Sequence, residues 1–225
     1  MIRGGPKDNL LRTLAAAIAI AAPAVAHSAD FTFVGTQVTM TGEIVDGDSK
    51  KFDKTIGTKL VRSMVLESKG GDVIEALDIG EKLRGRLVDT AVAPNSYCAS
   101  ACALIWAAGT RRSIADGGRV GFHGVYSKDE QRGPVSIGNA LVGAYLMKLG
   151  YDYPAVVYAV AAPPTEMKWL NPSDAMDTGF TYEAKNVVEA AASTKKPVLT
   201  GCAVAAAQLK EELGLGSSVE VSCKD

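Results

Sequence analysis

The sequence predicts one α/β domain built on a mostly parallel sheet. Three observations carry that expectation: extended and helical signals alternate from residue 31 onward, Gly- and Asp-rich turns separate them, and 47% of the 225 residues are hydrophobic, enough for one good core. Strand-helix-strand repetition implies parallel strands joined by helical crossovers. The 24 Lys+Arg nearly cancel the 25 Asp+Glu and form no basic block, so there is no electrostatic case for a nucleic-acid partner. The apolar fraction argues equally against a disordered chain.

Residues 1–26 lie outside that domain. Arg3, Lys7 and Arg12 precede an unbroken apolar run over residues 14–22, and Ala24-Val25-Ala26 supplies the small-x-small pattern that a signal peptidase requires. The run is too short to span a bilayer, which takes about 20 apolar residues. A cleaved export signal is expected, with the mature chain starting at His27 or, alternatively, at Asp30. The mature chain then carries 21 Lys+Arg and 24 Asp+Glu, has no membrane span, and is periplasmic or secreted.

The elements follow in order. Residues 38–45 hold β-branched side chains in near-period-2 order and stop at the turn Asp46-Gly47-Asp48. A short helix over 49–60 places Phe52 and Ile56 on one face, and an apolar strand over 61–66 breaks at Lys69-Gly70-Gly71. Asp72 caps a helix whose Ile74, Leu77 and Leu83 face inward and which ends at 84–86. Residues 87–93 are a third strand stopped by Pro94, the small and apolar run 99–108 is a buried helix ending at Gly109, and 119–122 are a fourth strand. Helices over 137–149, with Leu141, Tyr145 and Leu149 at four-residue spacing, and over 154–162 lead to Pro163-Pro164. A short helix over 173–177 and a strand over 180–182 complete a domain spanning 27–189. Residues 190–225 form a small appendage, with a helix over 203–213 and a cysteine-bearing end.

Export gives the four cysteines a meaning. In an oxidising compartment they suggest disulfides, and the local pairing is Cys98–Cys102 with Cys202–Cys223. Cys98 and Cys102 read equally well as two small buried thiols beside a helix start. A Cys202–Cys223 bridge would close a loop of about 20 residues and contribute roughly 3 kcal/mol. No metal site is expected, because His27 and His123 are the only histidines and neither lies near a cysteine in sequence. No cofactor is implied.

Three features fall at strand ends, where open α/β sheets build their sites: Gly70-Gly71, Ser100 at a helix start, and His123. A helix N-terminus directs N–H groups into a cleft, and a Gly-Gly turn lets a second backbone approach, so together they can form an oxyanion hole with Ser100 as nucleophile and His123 as base. Each also has an ordinary reading. A Gly-Gly pair is usually a turn, a serine opening a helix is usually its cap, and a lone histidine is more often structural.

At these residues the chain resembles the ClpP/crotonase-like superfamily, and specifically the proteolytic subunit of the Clp protease. Thr41-Gly42-Glu43-Ile44, Ser68-Lys69-Gly70-Gly71 where that family has Ser-Pro-Gly-Gly, Ala99-Ser100-Ala101 within Cys98–Cys102, Ala107-Ala108-Gly109, Arg111-Arg112 and Gly121-Phe122-His123 carry the resemblance in order. Trp169-Leu170-Asn171-Pro172-Ser173-Asp174-Ala175 with Gly179 extends it, and the Cys-Ala-Ser-Ala-Cys variant is similar to a group of exported Clp-protease-like proteins of uncharacterised activity. The resemblance implies repeated strand-strand-helix units, Ser100 as nucleophile, His123 as base, and an oxyanion hole from the Gly70-Gly71 turn, through Gly70, and from Ala101. The third member departs from the family. Met167 stands at the aspartate position, Glu166 is adjacent, and Asp174 and Asp177 fall on the following helix. Neither a long handle segment nor a role for an ATPase partner is expected.

The resulting reading is an exported serine hydrolase, a peptidase acting on a peptide or protein by acyl transfer through a Ser-His dyad or a triad completed by Glu166. Its alternative is a degenerate binding or assembly protein in which Ser100 only caps a helix. An acyl-CoA enzyme of crotonase type fits less well, because CoA is cytosolic. The apolar helices over 137–149 and 154–162 leave room for a homo-oligomer interface.

Overall fold

The computed structural model describes residue 1 and residues 28–126 and 136–185. The expected leader, the appendage and Cys202–Cys223 lie outside the described residues.

The chain opens with a hairpin, β1 (Asp30–Val34) and β2 (Gln37–Thr41), turned at Gly35 with φ +61°. Helix α1 (Asp48–Ile56) crosses to β3 (Ser63–Glu67), and α2 (Val73–Gly85) crosses to β4 (Asp89–Val92). Next come β5 (Tyr97–Ala99), α3 (Ala101–Ala107), β6 (Arg112–Ala115), β7 (Arg119–Phe122) and α4 (Ser136–Lys148). The described part closes with α5 (Tyr153–Ala161), β8 (Lys168–Trp169), α6 (Pro172–Thr178) and β9 (Glu183–Lys185).

These strands form two sheets, a large one in the order β1-β2-β3-β4-β6-β9 and a small one in the order β5-β7-β8. Only β1–β2 and β7–β8 are antiparallel among the described pairings. In β4-β5-α3, and again in β6-β7-α4, the first strand joins the large sheet and the second the small one. That is the strand-strand-helix repeat, and it sends the second strand of each unit toward the cleft.

Helix α3 is the centre of the core, buried along its whole length. Carbonyls of its C-terminal half are satisfied by neighbours. Thr90 Oγ1 donates to the Trp106 carbonyl at 2.7 Å, Tyr145 OH to Leu104 at 3.0 Å, and Tyr151 OH to Ala107 at 2.8 Å. Burial pushes both phenols above the usual tyrosine range, so they remain donors at any working pH. Under the cleft Phe122 stacks on Phe180 with centroids 4.8 Å apart, and Tyr151 and Tyr158 pack around them; such pairs contribute about 0.5–1.5 kcal/mol each.

Several expected boundaries move. Ala99 belongs to β5 rather than to the helix, because Ala99 N–H bonds to the Ser68 carbonyl at 3.0 Å and Ser68 N–H to that of Tyr97 at 2.9 Å, which holds the segment extended. Helix α2 buries Ala76, Ile79, Gly80 and Leu83, leaving Ile74 54% exposed and Leu77 half-buried. On α4 the inward stripe is Val142, Tyr145 and Leu146, continued by Leu149 just past its end, and Leu141 lies outside it. Helix α1 stops at Ile56 because Gly57 ends it, and the last strand is Glu183–Lys185, while Phe180 is a core residue rather than a strand residue.

Candidate functional site

The site gathers where the two sheets meet. Ser68 at the end of β3 bridges Cys98 on β5, and Gly71 bridges Ile44, so the Gly70-Gly71 turn is clamped between two extended segments. The clamp needs glycine. Gly70 has φ +95°, and a Cβ on it would stand 2.5 Å from the Ala99 oxygen, 2.8 Å from Ser100 Cβ and 2.9 Å from Ala101 N. The turn therefore lies directly against the serine backbone.

Ser100 occupies the junction between β5 and α3. Its φ of 57° and ψ of −125° form a conformation that non-glycine residues rarely adopt, costing of order 1–3 kcal/mol. A serine at such a strand-to-helix elbow turns its Oγ out of the backbone's path. Ser100 N–H donates to the Gly121 carbonyl at 2.8 Å, which ties the elbow to β7, and its side chain makes no cap hydrogen bond. The ordinary cap reading is thus not how this serine is used. Cys98 and Cys102 flank it, form a disulfide and are both fully buried.

The N–H groups near Ser100 divide into engaged and open ones. Gly70 N–H donates to Ser68 Oγ at 3.0 Å, and that hydroxyl donates to the Gly42 carbonyl. Gly70, expected as an oxyanion donor, is in this structure spent on Ser68. Gly70 C=O and Asp72 N–H both bond to Ile44, so the intervening Gly71 N–H turns the other way, and among the described residues nothing accepts it. Ala101 N–H heads α3 and has no intrahelical partner. Gly71 and Ala101 N–H are thus open to an oxyanion.

His123 follows β7 and is half-buried. Its Nδ1 lies 2.7 Å from the Gly124 carbonyl oxygen. A carbonyl only accepts, so Nδ1 carries the proton of the neutral ring, and the Nε2 lone pair is left to take a proton. The acceptor is itself anchored: Gly124 N–H donates to the Ala162 carbonyl at 2.9 Å, and Val125 N–H to Asn139 Oδ1 at 2.7 Å. Sequence reasoning missed both Gly124 and Asn139. An amide in the otherwise apolar first turns of α4 was the signal that could have pointed to Asn139.

Glu166 is not brought to the ring. It is exposed, lies outside the cavity wall, and its N–H closes a turn onto the Pro163 carbonyl at 2.9 Å. The antiparallel register pairs Phe122 with Lys168, so one further step puts Met167 opposite His123. Its Cγ and Sδ lie over Gly121, where a Cβ would stand 2.7 Å from each. Asp174 instead accepts from Tyr158 OH at 2.9 Å, and Asp177 lines a separate hollow beside Tyr151.

Ser100, His123, Gly70, Gly71 and Ala101 all line one open cavity of about 570 Å³. Leu104, Phe122, Val125, Val142 and Ala159 make its floor apolar, while Glu43, Asp46, Lys69 and Asp72 stand at its polar side. Lys69 pairs with Glu43 at 3.0 Å. The arrangement offers a nucleophilic hydroxyl, an imidazole lone pair and two main-chain donors around a space sized for an extended chain or a small acyl group.

No family model matches the chain, and no curated protein does. Among solved structures, the 1510-N membrane-bound stomatin-specific protease, in a mutant form, is 15% identical with a TM-score of 0.51, covering 67% of this chain and 79% of that one. A ClpP1 mutant from Listeria monocytogenes is 17% identical with a TM-score of 0.50, covering 68% and 93%. A Mycobacterium tuberculosis protein described as a probable enoyl-CoA hydratase is 13% identical with a TM-score of 0.48, covering 84% and 89%. At these identities the likeness is one of fold alone, and it is carried by the stomatin-specific protease and ClpP1, whose TM-scores reach 0.50.

Proposed function

We propose that this chain is an exported serine hydrolase of peptidase type. The observation that carries the reading is the strained Ser100 elbow, whose hydroxyl caps nothing and which shares a cavity with an imidazole held in the tautomer of a general base. His123 Nε2 takes the Ser100 proton as Oγ attacks a substrate carbonyl carbon. The developing oxyanion is met by Ala101 N–H and Gly71 N–H, and the imidazolium then returns the proton to the leaving amine. Water, activated by the same ring, releases the acyl group.

Gly124 C=O takes the place of the third member by fixing the tautomer. A carbonyl has no net charge, so it supports the imidazolium less than a carboxylate does, and slower turnover than in a full triad follows. The same feature favours a second reading, a binding protein with a degenerate site. Export rests on residues 1–26 and agrees with a disulfide flanking the serine. Among the described residues no helix is long and apolar enough to cross a membrane.

The deciding experiment is labelling of the purified mature protein with a fluorophosphonate, beside its Ser100→Ala variant. Labelling lost in the variant supports the hydrolase. Absence of labelling in the parent moves the assignment to the binding protein, and equal labelling of both removes Ser100 from the chemistry.

A further inference from the structure

Ser100 needs an explanation for why it stays in an unfavourable backbone conformation without a capping bond to hold it. Two restraints act on the segment. From the outside, Cys98 pairs with Val120, Ser100 N–H with the Gly121 carbonyl, and Ser68 with Cys98, so residues 98–100 cannot coil into an extension of α3 without giving up these bonds. From the inside, the Cys98–Cys102 bridge holds the two Cα atoms 5.1 Å apart. Four residues of extended strand span about 13 Å, and a disulfide tolerates at most about 7 Å between Cα atoms. The bridge therefore forbids straightening, the ladder forbids coiling, and the elbow is what remains.

We infer that the Cys98–Cys102 disulfide is a positioning device for the nucleophile, holding the elbow so that Ser100 Oγ and Ala101 N–H keep their places in the cleft. The inference rests on Ser100 as the nucleophile. It gives the bridge a local task besides general stabilisation. A five-residue loop gains less from cross-linking of the unfolded chain than a long one, and both cysteines are fully buried on either side of the half-buried Ser100. The ends of the bridge are well chosen. Cys98 belongs to the strand that touches the Gly70 turn, and Cys102 to the first turn of α3, so the link fixes the helix start relative to both N–H donors. It also takes over the fastening that a side-chain cap would supply, which leaves the serine hydroxyl for chemistry.

The test compares the oxidised mature protein with the Cys98→Ala/Cys102→Ala variant in two measurements: fluorophosphonate labelling resolved into the inactivation rate and the reagent's apparent affinity, and amide hydrogen exchange across residues 99–103. The expected result is an inactivation rate at least 10-fold lower with affinity unchanged, and at least 10-fold faster exchange confined to this segment. A variant that labels and exchanges like the parent overturns the inference. If the variant does not fold, reduction of the folded parent with a phosphine takes its place. Labelling lost while the fold persists, and regained on reoxidation, supports the clamp; labelling lost only together with global unfolding overturns it. A parent that does not label at all refutes the hydrolase reading instead, and the exchange measurement alone then decides whether the bridge holds the elbow.

Discussion

Replacing Gly70 with alanine separates two effects that the turn combines. Gly70 and Gly150 have nearly the same φ, +95° and +92°, but a Cβ on Gly150 would meet nothing within 4 Å, whereas one on Gly70 would press on the Ala99 oxygen, Ser100 Cβ and Ala101 N. The left-handed conformation alone costs an L-residue about 1–2 kcal/mol. Overpacking adds about 1–3 kcal/mol, because the contacts at Gly70 are backbone and Cβ atoms that cannot swing aside. Gly150→Ala should then lower Tm by about 2–8 °C and Gly70→Ala by about 4–20 °C, at 2–4 °C per kcal/mol for a domain of this size. The functional difference should be larger. A displacement of about 1 Å in a reacting group is worth about 100-fold in rate, so Gly70→Ala should reduce fluorophosphonate labelling by that order while Gly150→Ala leaves it unchanged. Thermal unfolding and labelling kinetics on the two variants read both quantities. Equal Tm values with equal labelling rates would refute the claim that the turn is packed against the serine.

Ser100→Gly should abolish labelling yet raise stability by about 1 kcal/mol, since glycine occupies φ 57°, ψ −125° without the penalty; a destabilised variant in chemical denaturation would contradict the strain. The buried Asp48 carboxylate accepts from Ser28 Oγ at 2.6 Å, Ala29 N–H at 3.1 Å and Val45 N–H at 2.8 Å, so Asp48→Ala should cost about 2–4 kcal/mol. Cleavage before Asp30 would remove two of those three donors and the fully buried Ala29, so sequencing of the exported protein should read His27 first. Glu166→Gln should be silent in labelling, and Met167→Asp should raise the rate by at least 10-fold by placing a carboxylate opposite His123; no gain would mean that Gly124 keeps the ring.

The legible part of the site was the part encoded by neighbouring residues. A Gly-Gly pair after an apolar strand, a serine opening a run of small residues, and a histidine closing a strand are each local patterns, and crossover connections bring such strand ends together. What escaped was set by partners distant in sequence. Of the small sheet, β7 is legible as the strand over 119–122, but β5 and β8 have three and two residues, too few for a period to show, so Ala99 reads as part of a helix. The hairpin strand β1 was lost next to the apolar leader, and β6 in a charged stretch after Gly109. Ile74 was assigned inward because it starts an apolar run, but it sits on the first turn of α2, where Asp72 caps the helix through Ile74 and Glu75 N–H and directs that turn to solvent. Glu166 was one residue from the right place, and in an antiparallel pair one residue is the difference between facing a neighbour and missing it.

The tautomer of His123 bears on how far this site can go. A carboxylate against Nδ1 does two things: it orients the ring, and its charge stabilises the imidazolium formed in the transition state. The Gly124 carbonyl does the first, aided by the anchors at Ala162 and Asn139 on either side, but contributes only a bond dipole to the second. The remaining stabilisation must come from the main-chain donors, which act on the oxyanion rather than on the base. Geometry held by backbone is costly to lose and easy to keep, so the fold would preserve the elbow, the turn and the ring orientation even if selection on rate were relaxed. The strained Ser100 is the feature that bears on the choice between a slow hydrolase and a retired one: a serine stands where glycine would relieve the backbone, as a hydroxyl in use would require, and fluorophosphonate labelling of the parent decides it.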